Sequence, residues 1–228
     1  MKFTFGIITL GDSDENLNLV IDSIENQNIP EYQILIVGNS SVSRKNTFII
    51  PFDESIKHAW ITRKKNLITT SASFENIVYT HDYVIFEPGW YEGYLKFGEN
   101  FKICMNKFVN PDGSRFRDWV IWPHNNNFMD SIVLPNRECL IPYDMTHLSK
   151  YQYISGTYWV SKKSVMMEFP LDEHLSWGEG EDVDWSYKVR EKYKFSMNPY
   201  SIVKSLKFKD PAFNVAGEKT INKLKEVK

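Results

Sequence analysis

A single α/β domain with a mostly parallel central sheet flanked by helices is predicted by three observations. Residues 3–10 read Phe-Thr-Phe-Gly-Ile-Ile-Thr-Leu, an apolar run of strand length. Leu17, Val20, Ile21 and Ile24 then fall at i, i+3, i+4 and i+7, the stripe of an amphipathic helix with one buried face. Residues 33–37, Gln-Ile-Leu-Ile-Val, are nearly all apolar, as in a strand covered on both faces. Strand, helix, strand in that order makes a parallel sheet the expected arrangement. Ligands of such sheets bind beyond the carboxyl ends of the strands, which directs attention to residues 9–13, to 38–43 and to the loops after later strands.

The remaining elements follow from local signals. Asp12-x-x-Glu15 reads as the start of the first helix and Asn28-Ile29-Pro30 as its end. Gly38-Asn39-Ser40-Ser41 is a loop beyond the second strand. A further helix is expected from Leu67 through Ala72, after the polar run Arg63-Lys64-Lys65-Asn66. Residues 76–80 read as a strand that ends on His81-Asp82-Tyr83, and Pro88-Gly89-Trp90 opens a short helix to Phe97. Strands are expected at 101–108, 153–161 and 203–208, and a helix at 181–193. Residues 110–150 are irregular, and a connection that long in a compact domain usually has a function. Residues 214–228 form a lysine-rich tail or a last helix.

Composition narrows the function classes. The chain has 228 residues, enough for one hydrophobic core, with 42% apolar and 25% charged residues. A formal net charge of -2 supplies no field to gather nucleic acid or an anionic membrane. Phe3 to Leu10 after Lys2 imitates the apolar part of a signal peptide, but Gly-Asp-Ser-Asp-Glu follows with no small-residue cleavage pattern. No apolar run approaches the roughly 18 residues of a spanning helix. Cys104 and Cys139 form no metal or redox spacing, which fits a reduced, cytoplasmic setting. Aromatic residues make up 15% of the chain and include seven Trp. They fit either a core of large side chains or a sugar site, where rings stack on the apolar faces of pyranoses.

Three segments carry candidate chemistry. In Trp177-Gly178-Glu179-Gly180-Glu181-Asp182-Val183-Asp184, carboxylates crowd beside two glycines at the start of a helix. The bland reading is capping with solvated charge; the sharper one is a general base, because crowded carboxylates raise each other's pKa. Asp82 in His81-Asp82-Tyr83 is either a turn residue or a ligand for a hard divalent cation, with His81 as an additional ligand. Cations in Arg63-Lys64-Lys65-Asn66 before a helix oppose its dipole, which makes sense if a phosphate arrives there; otherwise they form a solvated face. No Walker or Rossmann glycine-rich loop is present.

The order of these motifs resembles the GT-A glycosyltransferases, particularly the inverting family 2 type. It runs Ile8-Thr9-Leu10, Ile36-Val37-Gly38-Asn39-Ser40-Ser41, Arg63-Lys64-Lys65-Asn66, Tyr79-Thr80-His81-Asp82-Tyr83, Pro88-Gly89-Trp90, Ile154-Ser155-Gly156-Thr157 and the acidic segment. That last segment is also similar to the Trp-Gly-Gly-Glu-Asp motif of animal β-galactosyltransferases. The likeness covers roughly residues 3–208 and implies a single GT-A domain over 1–213. Residues 1–100 would bind the nucleotide sugar, 101–213 the acceptor, and 214–228 would lie outside the domain.

The resemblance implies a role for each site residue. Thr9, Gly11 and Asn39 would border the nucleobase and ribose, with Arg63, Lys64 and Asn66 near the nucleotide. His81, Asp82 and Tyr83 stand where the family's Asp-x-Asp motif holds the diphosphate through Mn²⁺ or Mg²⁺, so Asp82 and His81 are the expected metal ligands. Gly156 and Thr157 would face donor sugar or acceptor. Asp182 matches the catalytic base and Glu181 an orienting carboxylate. Trp177 and Trp90 are stacking candidates, and Glu179 would support the acceptor.

Three departures stand out: Gly38 replaces the usual strand-two Asp, only the central carboxylate of Asp-x-Asp remains, and no His follows His174. A weakened metal requirement is therefore expected, with Lys204 or Lys207 replacing part of the cation's charge. The implied reaction is transfer from a UDP-sugar to a glycan or lipid-linked saccharide. The alternatives are a non-catalytic sugar- or nucleotide-binding module and a nucleotidyltransferase. Within 110–150, Arg117, Trp119, Trp122, His124, Tyr143 and His147 are the candidates to meet an acceptor.

Overall fold

The computed structural model describes residues 1–121, 139–210, 214–215 and 217–226. Its first strand, β1 (Phe3–Ile8), is buried along its whole length and pairs in parallel with β2 (Tyr32–Val37) and β4 (Asn76–His81). β3 (Thr47–Ile50) extends the sheet beyond β2. β10 (Tyr158–Lys162) runs antiparallel between β4 and β6 (Ile103–Val109). β11 (Phe195–Ser205) is parallel to β6, and β5 (Val84–Phe86) closes that edge. The order is β3-β2-β1-β4-β10-β6-β11-β5. A smaller sheet joins four two-residue strands in the order β12-β8-β7-β9: β7 (Val120–Ile121), β8 (Cys139–Leu140), β9 (Gln152–Tyr153) and β12 (Asn214–Val215).

Helix α1 (Asp14–Glu25) buries the predicted stripe Leu17, Val20, Ile21 and Ile24. Its cap is Ser13, whose Oγ accepts from the Asn16 N–H, so the start lies one residue later than Asp12. Helix α2 runs Ile61–Ser71, six residues earlier than expected, and the basic segment lies inside it. Ile61, Lys64, Lys65 and Ile68 occupy i, i+3, i+4 and i+7 of its buried face. Two lysines in the middle of that stripe hide the periodicity from a reading by polarity. Gly6 of β1 lies directly under Ile68, where any Cβ would collide with the Ile68 side chain. The close packing of α2 on the sheet therefore requires glycine.

The later elements are α3 (Trp90–Phe97), a 3₁₀ turn at Thr146–Tyr151, α4 (Lys163–Glu168), α5 (Glu181–Arg190) and α6 (Glu218–Lys225). The strand expected at 153–161 is two strands in different sheets, with Ile154–Thr157 crossing between them. The strand expected at 203–208 begins at Phe195 and carries a bulge between Asn198 and Ile202. Pro199 sits in that bulge, where a missing N–H costs no ladder bond. No helix among the described residues is long and apolar enough to cross a membrane.

Candidate active site

The site begins at the carboxyl ends of the parallel strands. Ile8 lies opposite both Val37 and His81, so Thr9, Gly38 and Asp82 arrive at one edge of the sheet. Gly38 has φ 142°, and a Cβ there would strike the Thr9 carbonyl, so the approach of the two chains needs glycine. Thr9 Oγ1 donates to Asp82 Oδ2 at 2.6 Å and accepts from the Gly11 N–H at 3.0 Å. The Thr9 carbonyl accepts from Lys64 Nζ at 2.6 Å, and Lys64 also pairs with Glu54. Burial pushes the Asp82 carboxyl up from its ordinary pKa, against the Thr9 hydrogen bond.

The acidic segment supplies the opposite wall. Gly178 and Gly180 both take left-handed φ, and Gly180 caps α5. The Gly156 peptide is the hub of this wall. Its N–H donates to Asp182 Oδ2 at 2.7 Å, while Asp182 Oδ1 accepts from the Val183 N–H at 2.9 Å. Its carbonyl accepts from Lys65 Nζ at 2.7 Å, and the same ammonium lies 4.6 Å from the centre of the Trp159 ring. A Cβ on residue 156 would lie 2.9 Å from Glu181 Oε1 and 3.2 Å from Asp182 Oδ2, so any side chain there must push the two carboxyl groups aside.

These groups tune one another. Burial first, and the Asp182 charge second, push the Glu181 carboxyl up, while Lys65 pulls it down. Burial pushes Lys65 down to about 8, against the attraction of Glu181 and Asp182. His81 hydrogen-bonds the Gly156 backbone and is held neutral, its pKa driven well below the usual value by burial and then by Lys65 and Lys209.

Two cavities flank this wall. One, of about 390 Å³, is lined by Thr9, Asp12, Lys64, Asp82 and Lys207 among others. The second, of about 490 Å³, is lined by Phe116, Arg117, Gly156, Thr157, Glu181 and Asp182 among others. Ile61, His81, Tyr83, Trp177 and Lys209 line both, so the cavities adjoin. Trp177 is 70% exposed and borders both, an exposed ring at their junction.

The structure therefore brings together Thr9, Lys64, His81, Asp82, Tyr83, Gly156, Thr157, Trp177, Glu181 and Asp182. Other expected positions lie elsewhere. Trp90 is fully buried among Phe3, Phe5, Phe86 and Tyr94, and its Nε1 donates to Tyr158 Oη at 3.0 Å. It is a core residue and cannot stack on an acceptor. Arg63 and Asn66 project from the other face of α2 onto Glu173 and Leu171 and line a separate cleft of about 350 Å³. Helical spacing requires this: with Lys64 and Lys65 inward, positions 63 and 66 face out. Gly11 and Asn39 abut each other at the rim, outside the cavity linings. Glu179 Oε2 accepts from the Ser176 N–H at 2.6 Å and closes its own loop.

In the irregular segment, Arg117 lines the second cavity, but Trp119 is buried. Tyr143 donates to Asp118, and His147 bonds the Leu224 carbonyl. Trp122 and His124 fall outside the described residues. Sequence reasoning did not single out Asp12 or Lys209 as site residues, and named Lys65 only as one of the cations expected before a helix. The i, i+3, i+4, i+7 spacing around Lys65 was the available signal; nothing local marks Lys209.

A divalent cation at a nucleotide takes oxygen ligands, commonly one or two carboxylates together with phosphate oxygens and water. Among the described residues no group of three or more His, Cys, Asp or Glu side chains gathers to hold one. Asp82 is already bonded by Thr9, His81 is turned to the Gly156 backbone, and Asp12 and His58 line the chamber without completing a set. Three lysines, Lys64, Lys207 and Lys209, surround them. Asp82 and His81 thus offer one carboxylate and one imidazole at the expected site, with no cluster of three such side chains among the described residues.

No family model and no curated protein matches the chain. Solved structures do. Against the crystal structure of GalNAc-T7 with UDP, GalNAc and Mn²⁺, the TM-score is 0.64 at 12% identity, over 99% of this chain and 47% of that one. Against Staphylococcus aureus TarS residues 1–349 it is 0.56 at 13% identity, over 89% of this chain and 60% of that one. The same TarS fragment in complex with UDP gives 0.57 at 12% identity, over 90% and 60%. The chain thus spans about half the length of the solved GalNAc-T7 chain. With its mostly parallel sheet, flanking helices and strand-end site, this chain has the GT-A glycosyltransferase fold.

Proposed function

We propose that this chain is an inverting glycosyltransferase that moves a sugar from a nucleoside-diphosphate donor, in the first instance a UDP-sugar, to a hydroxyl of a glycan or lipid-linked saccharide. One observation carries this reading. Asp182 lines the second cavity, held by two backbone N–H groups, and the first cavity adjoins it across His81, Tyr83 and Lys209. A carboxylate has about four acceptor sites, so two N–H bonds leave capacity to take a proton.

In this reading the nucleotide lies in the chamber of Thr9, Asp12, Lys64 and Asp82, with Gly11 and Asn39 at its rim. The acceptor enters the chamber of Gly156, Thr157 and Glu181, with its ring against Trp177. As the acceptor oxygen attacks the anomeric carbon, its proton passes to Asp182. The bond from that carbon to the β-phosphate oxygen breaks, and the nucleoside diphosphate leaves with the electron pair. A single displacement inverts the anomeric configuration. Holding both sugars in line supplies much of the rate, and a positioned base typically adds about 10²–10⁴-fold.

The test is incubation with a panel of nucleotide sugars, measuring release of free nucleoside diphosphate with and without saccharide acceptors. Slow hydrolysis that accelerates with an acceptor supports a transferase. Pyrophosphate-dependent exchange identifies a nucleotidyltransferase instead, and binding without turnover identifies a non-catalytic module.

A further inference from the structure

We propose that Lys207 and Lys209 form a cationic clamp that binds the donor's diphosphate in place of a divalent metal, so that nucleoside-diphosphate binding is metal-independent. The inference rests on the transferase reading and assigns the phosphate site within it. Lys207 and Lys209 both line the first cavity, and Lys209 also lines the second. A group at that junction stands where the bond between diphosphate and sugar must lie, because the two substrates meet there.

The two lysines are held on one support. Lys209 Nζ donates to Tyr83 Oη at 2.7 Å and lies 4.5 Å from the ring centre, and Lys207 Nζ lies 5.3 Å from the same ring. The Lys209 backbone is fixed on both sides by Asn110, whose Oδ1 accepts from the Lys209 N–H at 2.9 Å and whose Nδ2 donates to its carbonyl at 3.0 Å. Asn110 is itself fully buried at the end of β6. An ammonium placed this way binds phosphate oxygens without having to be ordered at the moment of binding.

The other lysines are already committed. Lys64 is paired with Glu54 and bonded to the Thr9 carbonyl. Lys204, a sequence-level candidate for the same task, is paired with Glu87 at 2.7 Å and lines neither cavity. Among the described residues, Lys207 and Lys209 are in no ion pair with a carboxylate. Burial pushes Lys209 down to about 8, with Arg117 and Lys207 adding to the effect; an arriving dianion reverses that strain.

The experiment is calorimetric titration of the full chain with UDP, GDP and dTDP and with the matching monophosphates, once in EDTA and once in Mn²⁺. The expected result is a diphosphate that binds with the same affinity, within about twofold, in both buffers and at least about tenfold more tightly than its monophosphate. Lys207→Gln and Lys209→Gln together remove that preference and leave the monophosphate affinity unchanged. Lys207 is exposed, so Lys207→Gln alone keeps the fold and loses part of the preference. Binding that appears only with Mn²⁺, or a preference that survives both substitutions, overturns the clamp and leaves the transferase reading standing. No binding of any nucleotide in either buffer overturns both.

Discussion

At the scale of single residues, the site turns on one peptide. Gly156 gives its N–H to Asp182 and takes the Lys65 ammonium on its carbonyl, so the proposed base and a buried cation are set by the same unit. Asp182→Asn is the direct test. The amide still accepts one backbone N–H, so the fold and donor binding stay, and turnover falls about 10²–10⁴-fold. Near-normal turnover in a rapid-quench assay moves the base to Glu181. Lys65→Met removes the cation but keeps the length of the side chain. Glu181 is raised by burial and by Asp182, and Lys65 opposes the rise. Without Lys65 the Glu181 carboxyl protonates at higher pH. In the proposed reading Glu181 orients the acceptor as a carboxylate, so activity falls as pH drops through its raised value. The acid limb of kcat/KM against pH therefore moves to higher pH in Lys65→Met. An unmoved limb means that Lys65 does not act on the catalytic pair.

At the scale of elements, the crossing Ile154–Thr157 and the first turn of α5 are fitted against each other. Gly156→Ala needs no unusual backbone angle, because φ at this position is not in the left-handed region. Its methyl does push on both carboxyl groups. Turnover is expected to fall at least tenfold while thermal unfolding moves only slightly, the displaced groups being the ends of side chains. A large loss of melting temperature with unchanged specific activity contradicts this.

The same elements explain what the sequence made legible. β1, α1 and β2 carry clean periods and stand close to where they were expected. The helix α2 was displaced because Lys64 and Lys65 fill core positions, and lysine is rarely buried unless paired. The strand β11 was cut short by Pro199, which only its bulge accommodates. The acidic segment was found because carboxylates cluster in sequence. Lys209 was not, because Tyr83 and Asn110, which hold it, lie 126 and 99 positions away.

At the scale of the whole molecule, the strand order interlocks the chain. β5 lies at the far edge beside β11, and β10 is inserted between β4 and β6. The sheet therefore joins residues 1–100 to residues 101–213 through the ladders β4·β10 and β5·β11. The first cavity repeats this: Thr9, Lys64 and Asp82 come from the early elements and Lys207 and Lys209 from beyond β11. A donor bound there bridges segments that must be folded together. Ligand that binds only the native state stabilises it by mass action, about 2.7 kcal/mol at one hundred times Kd. For a domain of this size each kcal/mol is worth roughly 2–4 °C. Saturating UDP is thus expected to raise the melting temperature by about 5–10 °C in calorimetry, as one transition without a shoulder. A transition that splits, with only its upper part moved by UDP, means that the early strands hold the nucleotide without the segment beyond β11. The phosphate clamp at Lys207 and Lys209 then has no part in binding, and the single interlocked sheet does not unfold as one unit.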